Sequence, residues 1–169
     1  THAHAYVMAY TSISDLNVTT ITTVQHGKDV DIEFVQLVLS KRAELGYNDT
    51  NEGELAAFIS YAQAYPTGLL ALVDTYDTLA SGVPNFICVS LALKELGYDS
   101  VGIRLDSGDL AYLSVTARTM FRDVDERLSL GECFVNKSIV ASNDLSEDVI
   151  LSLNLQNHDI DVFGIGTNL

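Results

Sequence analysis

The sequence predicts an α/β protein, namely part of a (β/α) TIM-like barrel whose parallel strands are covered by helices. Three observations predict this class. Short, continuous apolar runs alternate with longer stretches of helical periodicity, polar or glycine residues follow each run, and the unit repeats about four times. A closed barrel needs about eight strands, so these units account for part of one. A doubly wound dinucleotide-binding sheet is less favoured, because it places a glycine fingerprint near its first strand.

The first part of the chain is predicted to be mostly helical. Gly46 is placed to end one helix, and Thr50 or Asn51 is placed to cap the next. The predicted elements, in order, are a His-bearing loop before a short helix at 5–10, a loop or insertion at 12–30, and helices at 32–45 and 52–64.

The repeated strand, loop and helix unit occupies the rest of the chain. Each apolar run is too short for a helix and does not alternate with polar residues, as expected of a strand buried on both faces. The predicted order is strand 69–73, helix 84–96, strand 101–104, helix 110–128, strand 138–141, helix 146–155 and strand 162–165.

Polar residues and glycines follow each predicted strand. Loops after parallel strands converge at the same end of a barrel, where helix N-termini direct free N–H groups at anions. We therefore expect a ligand site built from these strand ends, which are Asp74, Arg104, Ser142 and Gly164–Gly166.

Composition excludes several classes of function. With 9 basic and 23 acidic residues the net charge is −14, which argues against a nucleic-acid partner. No apolar run approaches the roughly 18 residues of a membrane span. Cys88 and Cys133 lack CxxC spacing, so we expect two reduced, buried thiols in a cytoplasmic protein. The chain lacks an initiator Met and stops after a strand-like run, so we interpret it as part of a longer protein.

Two carboxylates follow the strand at 69–73. Asp74 ends the strand directly, and Asp77 lies three residues later. One of them is expected to cap a helical turn. The other is free to orient a substrate or to hold Mg²⁺ through water, because magnesium prefers carboxylates together with substrate phosphates.

Arg104 is the one basic residue at these predicted strand ends. Two interpretations are open, and they are compatible. The guanidinium could form a buried ion pair with Asp74 or Asp106, or it could bind a carboxylate or phosphate in a bidentate fork.

The last two strand ends carry hydroxyls and glycines, typical of a barrel phosphate site, although a tight turn would also explain the glycines. At the other end of the chain, His2 and His4 have no third ligand at metal-binding spacing, so a polar loop explains them as well as chemistry does. The predicted phosphate-binding residues are Ser142, Asn143, Gly164, Gly166 and Thr167.

Taken together, several motifs resemble the nicotinate phosphoribosyltransferase family of type II phosphoribosyltransferases, in the same order from end to end of the chain. The motifs are Thr1-His2-Ala3-His4, Val73-Asp74-Thr75-Tyr76, Ser81-Gly82-Val83-Pro84-Asn85-Phe86, Gly102-Ile103-Arg104-Leu105-Asp106-Ser107-Gly108-Asp109, Ser142-Asn143 and Phe163-Gly164-Ile165-Gly166-Thr167.

The resemblance implies the incomplete (β/α) TIM-like barrel of type II phosphoribosyltransferases. It also implies a reaction of nicotinate with phosphoribosyl pyrophosphate. The products are nicotinate mononucleotide and pyrophosphate, the reaction serves NAD salvage, and ATP hydrolysis is coupled to it through a phosphohistidine at His4. Arg104 would contact the nicotinate carboxylate or the phosphoribosyl group, and Asp74 would orient substrate. The ribose hydroxyls or Mg²⁺-pyrophosphate would be bound by Asp106, Ser107, Gly108 and Asp109. Mg²⁺ would be contacted through Asp106 and Asp109. The residues of the last two strand ends would hold the 5′-phosphate.

Three alternatives accompany this interpretation: nicotinamide phosphoribosyltransferase, a phosphate-sugar barrel enzyme of another class, and a non-catalytic binding module. A Schiff-base barrel enzyme would need a strand-end Lys, and none of the predicted strands ends in one. The resemblance also implies a homodimer in the full-length enzyme. We expect residues 1–169 alone, as a partial catalytic domain, to be neither fully folded nor active, because an open barrel edge exposes unpaired strands.

Overall fold

The computed structural model describes residues 2–142 and 144–166 and confirms the predicted α/β class. Parallel strands alternate with helices through the second part of the chain, as the apolar runs predict. In order, the elements are α1 (His2–Met8), β1 (Ile21–Gln25), β2 (Lys28–Ile32), α2 (Phe34–Leu45), α3 (Glu52–Ala64), β3 (Leu70–Leu72), α4 (Val83–Glu95), β4 (Gly102–Leu105), α5 (Leu110–Leu128), β5 (Ser138–Ser142), α6 (Glu147–Leu155) and β6 (Val162–Gly164).

Within the described residues, the main sheet has four parallel strands in the order β3-β4-β5-β6. Leu72 pairs with Arg104, Arg104 pairs with Val140, and Ser142 pairs with Gly164. Sequential order with a helix between neighbours is the pattern of a (β/α) barrel. In this register the carboxyl ends of β3, β4 and β5 lie side by side.

One face of the sheet belongs to the main hydrophobic core. Ala71, Ile103 and Ile139 are aligned across three strands and are buried, and the core also contains Phe86 of α4 and Phe121 of α5. Burial of aromatic and branched side chains is the main favourable term in folding. This packing holds the sheet in place and thereby fixes the positions of the residues at the carboxyl ends of its strands.

Residues 12–30 are predicted to be a loop or insertion, and the loop prediction is wrong for most of that segment. After a 3₁₀ turn at Ile13–Asp15, β1 and β2 form an antiparallel hairpin. Its two-residue turn is His26-Gly27, and both residues have positive φ, as a hairpin turn of this length requires. Ile32 closes β2, so the helix predicted from residue 32 begins at Phe34 instead.

Four other places differ from prediction, namely α1, the start of β4, the turn before α4 and the end of β6. His4 lies within α1 and not in a loop before it, and α1 ends at Met8. Val101, predicted in a buried strand, precedes β4 and is exposed. A π-helical turn, Thr78–Gly82, precedes α4, and β6 ends at Gly164. The other helices and strands begin and end within a residue or two of prediction.

The two cysteines are unpaired, as expected, but only Cys88 is buried; Cys133 is half-buried, which corrects the prediction for it. Burial raises the pKa of the Cys88 thiol to about 12. None of the helices in the described ranges has the length and apolar character needed to cross a membrane.

Arg118 is a buried basic residue that ties the segments leading into β5 and β6 together. Its guanidinium donates to the carbonyls of Val135 (2.7 Å) and Lys137 (2.6 Å), and to the Asp161 carboxylate (2.6 Å). We expect Arg118→Met to lower the free energy of unfolding by about 3 kcal/mol, because buried acceptors lose a charged donor.

Chemical denaturation of the full-length protein measures this effect. Arg122→Met, a change of the same size at an exposed position one turn later on α5, is the control. Equal losses of unfolding free energy in Arg118→Met and Arg122→Met would show that the hydrogen bonds of Arg118 do not stabilise the fold.

Candidate active site

The carboxyl ends of β3, β4 and β5 bring four predicted site residues together. Asp74 follows β3 by two residues, Arg104 is the penultimate residue of β4, Asp106 follows β4 directly, and Ser142 ends β5. The helix α1 places a fifth, His4, against the same strand ends. The spacing of these residues along the chain predicts the grouping, and the hydrogen bonds below establish it.

Asp74 is the centre of this group. Its Oδ1 accepts a hydrogen bond from Nε2 of His4 (3.2 Å), and its Oδ2 accepts from the backbone N–H of Asp106 (3.0 Å) and from the Ser107 hydroxyl (2.6 Å). The Asp74 side chain is only 2% exposed. This carboxylate therefore joins β3 to α1 and to the loop that follows β4.

Arg104, Asp106 and Ser142 form a second set of contacts. Arg104 donates through Nε to the Ser142 hydroxyl (2.7 Å) and through Nη2 to Asp106 Oδ1 (2.8 Å), and Ser142 donates to the same Oδ1 (2.5 Å). The ion pair anticipated for Arg104 thus forms with Asp106. Two of its nitrogens are held in place, which fixes the plane of the guanidinium.

Asp106 carries its charge despite its burial. Desolvation favours the neutral acid, but hydrogen bonds from Ser142 and Arg104, the charge of Arg104 and the nearby His4 outweigh it, so the pKa of this carboxyl lies below its usual value. Nδ1 of His4 is 4.0 Å from Asp106 Oδ2. The His4 ring is therefore flanked by carboxylates on both nitrogen edges.

A cavity of about 540 Å³ opens beside Arg104, between α1, α3 and β3. Its lining is mainly apolar and aromatic, with Arg104 as its cation, so it suits a flat ring that carries an anionic group. Partial burial raises the pKa of the Tyr6 phenol in this lining to about 12. The lining residues are Ala3, Tyr6, Val7, Phe58, Ser60, Tyr61, Ala64, Tyr65, Leu70, Leu72 and Arg104.

A second cavity, of about 600 Å³, lies between the segment before the hairpin and α3 and has none of the predicted site residues in its lining. The chemistry is concentrated at the strand ends, so we place the site there.

Two of the predicted carboxylates act as helix caps. Asp77 accepts hydrogen bonds from the N–H groups of Leu79 and Ala80, so it is the capping member of the Asp74 and Asp77 pair. Asp109 accepts from the N–H of Tyr112 and caps α5. Its role toward a substrate or metal stays a prediction.

The predicted phosphate-binding residues are only partly covered by the structure. Ser142 and Gly164 are paired neighbours on β5 and β6, Gly166 follows two residues later, and Asn143 and Thr167 lie outside the described residues. Gly108 has a φ of +81°, which favours glycine in the loop before α5. The phosphate site stays a prediction.

A buried polar cluster that the sequence analysis did not identify lies behind Asp74. Glu54 of α3 is fully buried, and its Oε2 accepts hydrogen bonds from the Ser81 hydroxyl (2.6 Å) and the Asn85 amide (3.0 Å). Ser81 also accepts from the backbone N–H of Asn51 (2.9 Å). A glutamate in the first turn of a helix ordinarily lies in solvent, so the sequence signal was the polar pair Ser81 and Asn85 in an otherwise apolar stretch.

Glu54 makes stability depend on pH. Burial, with the charges of Asp74 and Asp77 nearby, raises its pKa from 4.5 to about 7, although its hydrogen bonds oppose the shift. The folded state keeps this proton where the unfolded chain releases it, so stability is full below pH 4.5 and falls as pH rises toward 7, by about 3 kcal/mol in all.

We expect Glu54→Gln to remove this dependence. Unfolding free energies of the full-length wild type and variant at intervals from pH 4 to pH 8 provide the measurement, and the wild type should lose stability relative to the variant as pH rises. A difference between them that is constant over this range would show that Glu54 does not titrate.

Relatives of the chain were found by sequence and by structure. It is 53% identical over 169 residues to nicotinate phosphoribosyltransferase of Dictyostelium discoideum and 46% identical over 177 aligned positions to nicotinate phosphoribosyltransferase 1 of Arabidopsis thaliana, and both matches cover 100% of this chain. The crystal structure of human nicotinic acid phosphoribosyltransferase superposes with a TM-score of 0.84 and 32% identity over 98% of the chain. No family model matches the sequence.

The matched region is part of each of these relatives. The chain spans 28% of the Dictyostelium protein, 31% of the Arabidopsis protein and 34% of the human chain. The resemblance expected from the motifs is confirmed, and it extends over the whole of this chain.

Proposed function

Because this chain resembles nicotinate phosphoribosyltransferases along its whole length, we propose that it forms part of the catalytic α/β-barrel domain of such an enzyme. The reaction joins nicotinate to phosphoribosyl pyrophosphate, gives nicotinate mononucleotide and pyrophosphate, and serves NAD salvage. The observation that carries the proposal is the joining of His4, Asp74, Asp106 and Arg104 at neighbouring strand ends.

Arg104 is proposed to bind the nicotinate carboxylate. Its guanidinium borders the aromatic cavity, and its Nε and Nη2 are already held by Ser142 and Asp106. A fixed guanidinium offers its remaining N–H groups in one orientation, which suits a planar carboxylate. The same arrangement favours nicotinate over nicotinamide, because a neutral amide cannot form a charge-assisted pair.

The loop after β4 is proposed to hold the ribose and pyrophosphate. Ser107 and Gly108 follow Asp106 directly in this loop, and the Ser107 hydroxyl donates to Asp74. No cluster of three or more His, Cys, Asp or Glu that could hold a metal occurs in residues 2–142 and 144–166. The carboxylates of Asp106 and Asp109 are proposed to hold a Mg²⁺ jointly with the diphosphate, which is the usual mode for this ion. When bound, it would neutralise charge on the leaving pyrophosphate.

The ends of β5 and β6 are proposed to hold the 5′-phosphate. The adjacency of Ser142 and Gly164 supports this, since a hydroxyl and open backbone lie together at a barrel strand end. The full proposed set is Ser142, Asn143, Gly164, Gly166 and Thr167.

His4 is proposed to accept the γ-phosphoryl group of ATP on a ring nitrogen, with ADP as the leaving product, and to return the phosphoryl group to water during turnover. The hydrogen bond to Asp74 holds the ring in position for this chemistry. The transfer to nicotinate itself develops oxocarbenium character at the ribose, so the proposed roles of Asp74, Asp106 and Arg104 are to position substrates and to place charge.

Two further properties belong to the same proposal. We place the protein in the cytoplasm, which agrees with two unpaired thiols in the described part of the chain. We also propose a homodimer for the full-length enzyme, with small-molecule substrates and neither nucleic acid nor membrane as a partner.

A substrate comparison tests the proposed function. The full-length protein is assayed with phosphoribosyl pyrophosphate and either nicotinate or nicotinamide, with and without ATP, and the mononucleotide is quantified. We expect product from nicotinate, stimulated by ATP. Preference for nicotinamide would assign the alternative phosphoribosyltransferase activity, and no mononucleotide from either base would refute the proposal.

A further inference from the structure

The start of α3 contacts both of the elements that carry the His4 and Asp74 pair. Gly53 packs against the backbone after α1, where a Cβ on residue 53 would lie 2.4 Å from the carbonyl oxygen of Tyr10. The Tyr10 hydroxyl also donates to Ser60 of α3 (2.8 Å). These contacts seat the helix that carries His4 on α3.

The next residue, Glu54, contacts the turn that follows Asp74. It accepts from Ser81 in the Thr78–Gly82 turn. The Thr78–Gly82 turn also packs closely against the end of β3, since a Cβ on Gly82 would be 1.9 Å from the carbonyl oxygen of Val73. Val73 immediately precedes Asp74. Gly53 and Glu54 of α3 therefore help to set the positions of the His4 and Asp74 side chains. These two side chains are 70 residues apart in the sequence.

We propose that Glu54 is a positioning residue, which anchors the Thr78–Gly82 turn on the end of β3 and thereby holds the Asp74 carboxylate in hydrogen-bonding reach of His4. Its catalytic consequence rests on the proposed function, because it acts through the residue proposed to be phosphorylated.

The hydrogen-bonding pattern indicates that Glu54 anchors the Thr78–Gly82 turn as a neutral acid. Its Oε1 and the Asn85 Oδ1 are buried acceptors without a donor among the described residues. A proton on the carboxyl supplies a donor to this cluster, whereas an ionised Glu54 would leave a buried anion close to Asp74. The raised pKa of Glu54 agrees with this. Glu54→Gln preserves both acceptor and donor functions, so it should substitute for the acid.

Three variants of the full-length protein test the proposal. Glu54→Leu keeps similar bulk but removes the partner of Ser81, Ser81→Ala removes the hydroxyl that reaches Glu54, and Glu54→Gln retains the hydrogen bonds. The control is Glu52→Gln, at an exposed position in the same helical turn. Ser81→Ala is the milder change and keeps the test valid if Glu54→Leu does not fold.

Two readouts separate positioning from general structural damage. The first is the ¹⁵N and ¹H NMR signal of the His4 ring in histidine-labelled protein, which reports the hydrogen bond to Asp74 and needs no substrate. The second is steady-state kinetics with ATP. We expect Glu54→Leu and Ser81→Ala to change the His4 signal and to lower the ATP-coupled kcat about tenfold, with KM for nicotinate changed by less than about twofold.

The proposal also requires Glu54→Gln and Glu52→Gln to keep the wild-type signal and kcat. A folded Glu54→Leu or Ser81→Ala protein with a wild-type His4 signal would overturn it, as would a Glu54→Gln variant as impaired as Glu54→Leu. If the wild type proves inactive toward nicotinate, the proposed function fails while the NMR comparison still decides the role of Glu54.

Discussion

Arg104→Lys is expected to lower kcat/KM for nicotinate by about 100-fold, because the lysine ammonium cannot reproduce a planar fork that reaches Ser142, Asp106 and a substrate anion at once. Each charge-assisted hydrogen bond contributes about 1.5 to 3 kcal/mol, and loss of one or two gives a change of this order. The variant keeps the positive charge, so a fall in kcat/KM shows that the planar shape of the guanidinium is required.

Initial-rate kinetics with varied nicotinate measures this effect. Arg127→Lys is the matched control, because Arg127 is an exposed arginine of α5 that donates to the carbonyls of Glu44 and Leu45, on the surface between α5 and α2. It should leave kcat/KM unchanged. Unaltered kinetics for Arg104→Lys would mean that the guanidinium fork does not hold the substrate.

His4→Ala is expected to abolish the stimulation of the reaction by ATP, so that rates with and without ATP become equal. The proposed phosphoryl acceptor is then missing, while Arg104 and Asp106 remain to bind substrates and support the uncoupled reaction. Parallel assays of mononucleotide formation and ATP hydrolysis measure the coupling.

The control for this change is His26→Asn. His26 lies at the turn of the β1-β2 hairpin with a φ of +50°, a conformation that asparagine also adopts readily. Its ATP stimulation should match the wild type. Persistent ATP stimulation in His4→Ala would remove His4 from the coupling step.

The order of the strands in the main sheet and of the helices between them could be predicted from the sequence. The apolar runs and polar caps that indicate each element lie within that element or directly beside it. The run 69–73 is apolar throughout, and helices α3 and α5 have the predicted bounds with polar caps at Asn51 and Asp109. The strand-end residues Asp74, Arg104 and Ser142 follow from the same pattern, since parallel strands in sequential order bring their carboxyl ends together.

The hairpin at 21–32 was missed although a local signal was present. Ile21 to Val24 are β-branched residues followed by His26-Gly27, a two-residue turn of the hairpin type. The several threonines favoured a loop interpretation, whereas Ile21 and Thr23 are buried on the face that packs inward.

Two features of the site depend on contacts between distant segments and could not be predicted locally. His4 lies in a helix of only seven residues, and that helix packs on α3. Burial of Glu54 depends on Ser81 and Asn85, about 30 residues further along the chain. Packing and hydrogen bonding across such separations override local propensity.

The most direct test of the proposed active site is to locate the phosphoryl group. The full-length protein is incubated with γ-labelled ATP, digested under alkaline conditions that preserve phosphohistidine, and mapped by mass spectrometry. We expect an acid-labile phosphoryl group on His4, greatly reduced in Asp74→Asn, which replaces the carboxylate that pairs with the ring. Acid-stable label, label on another residue, or no label on an enzyme that ATP stimulates would contradict it.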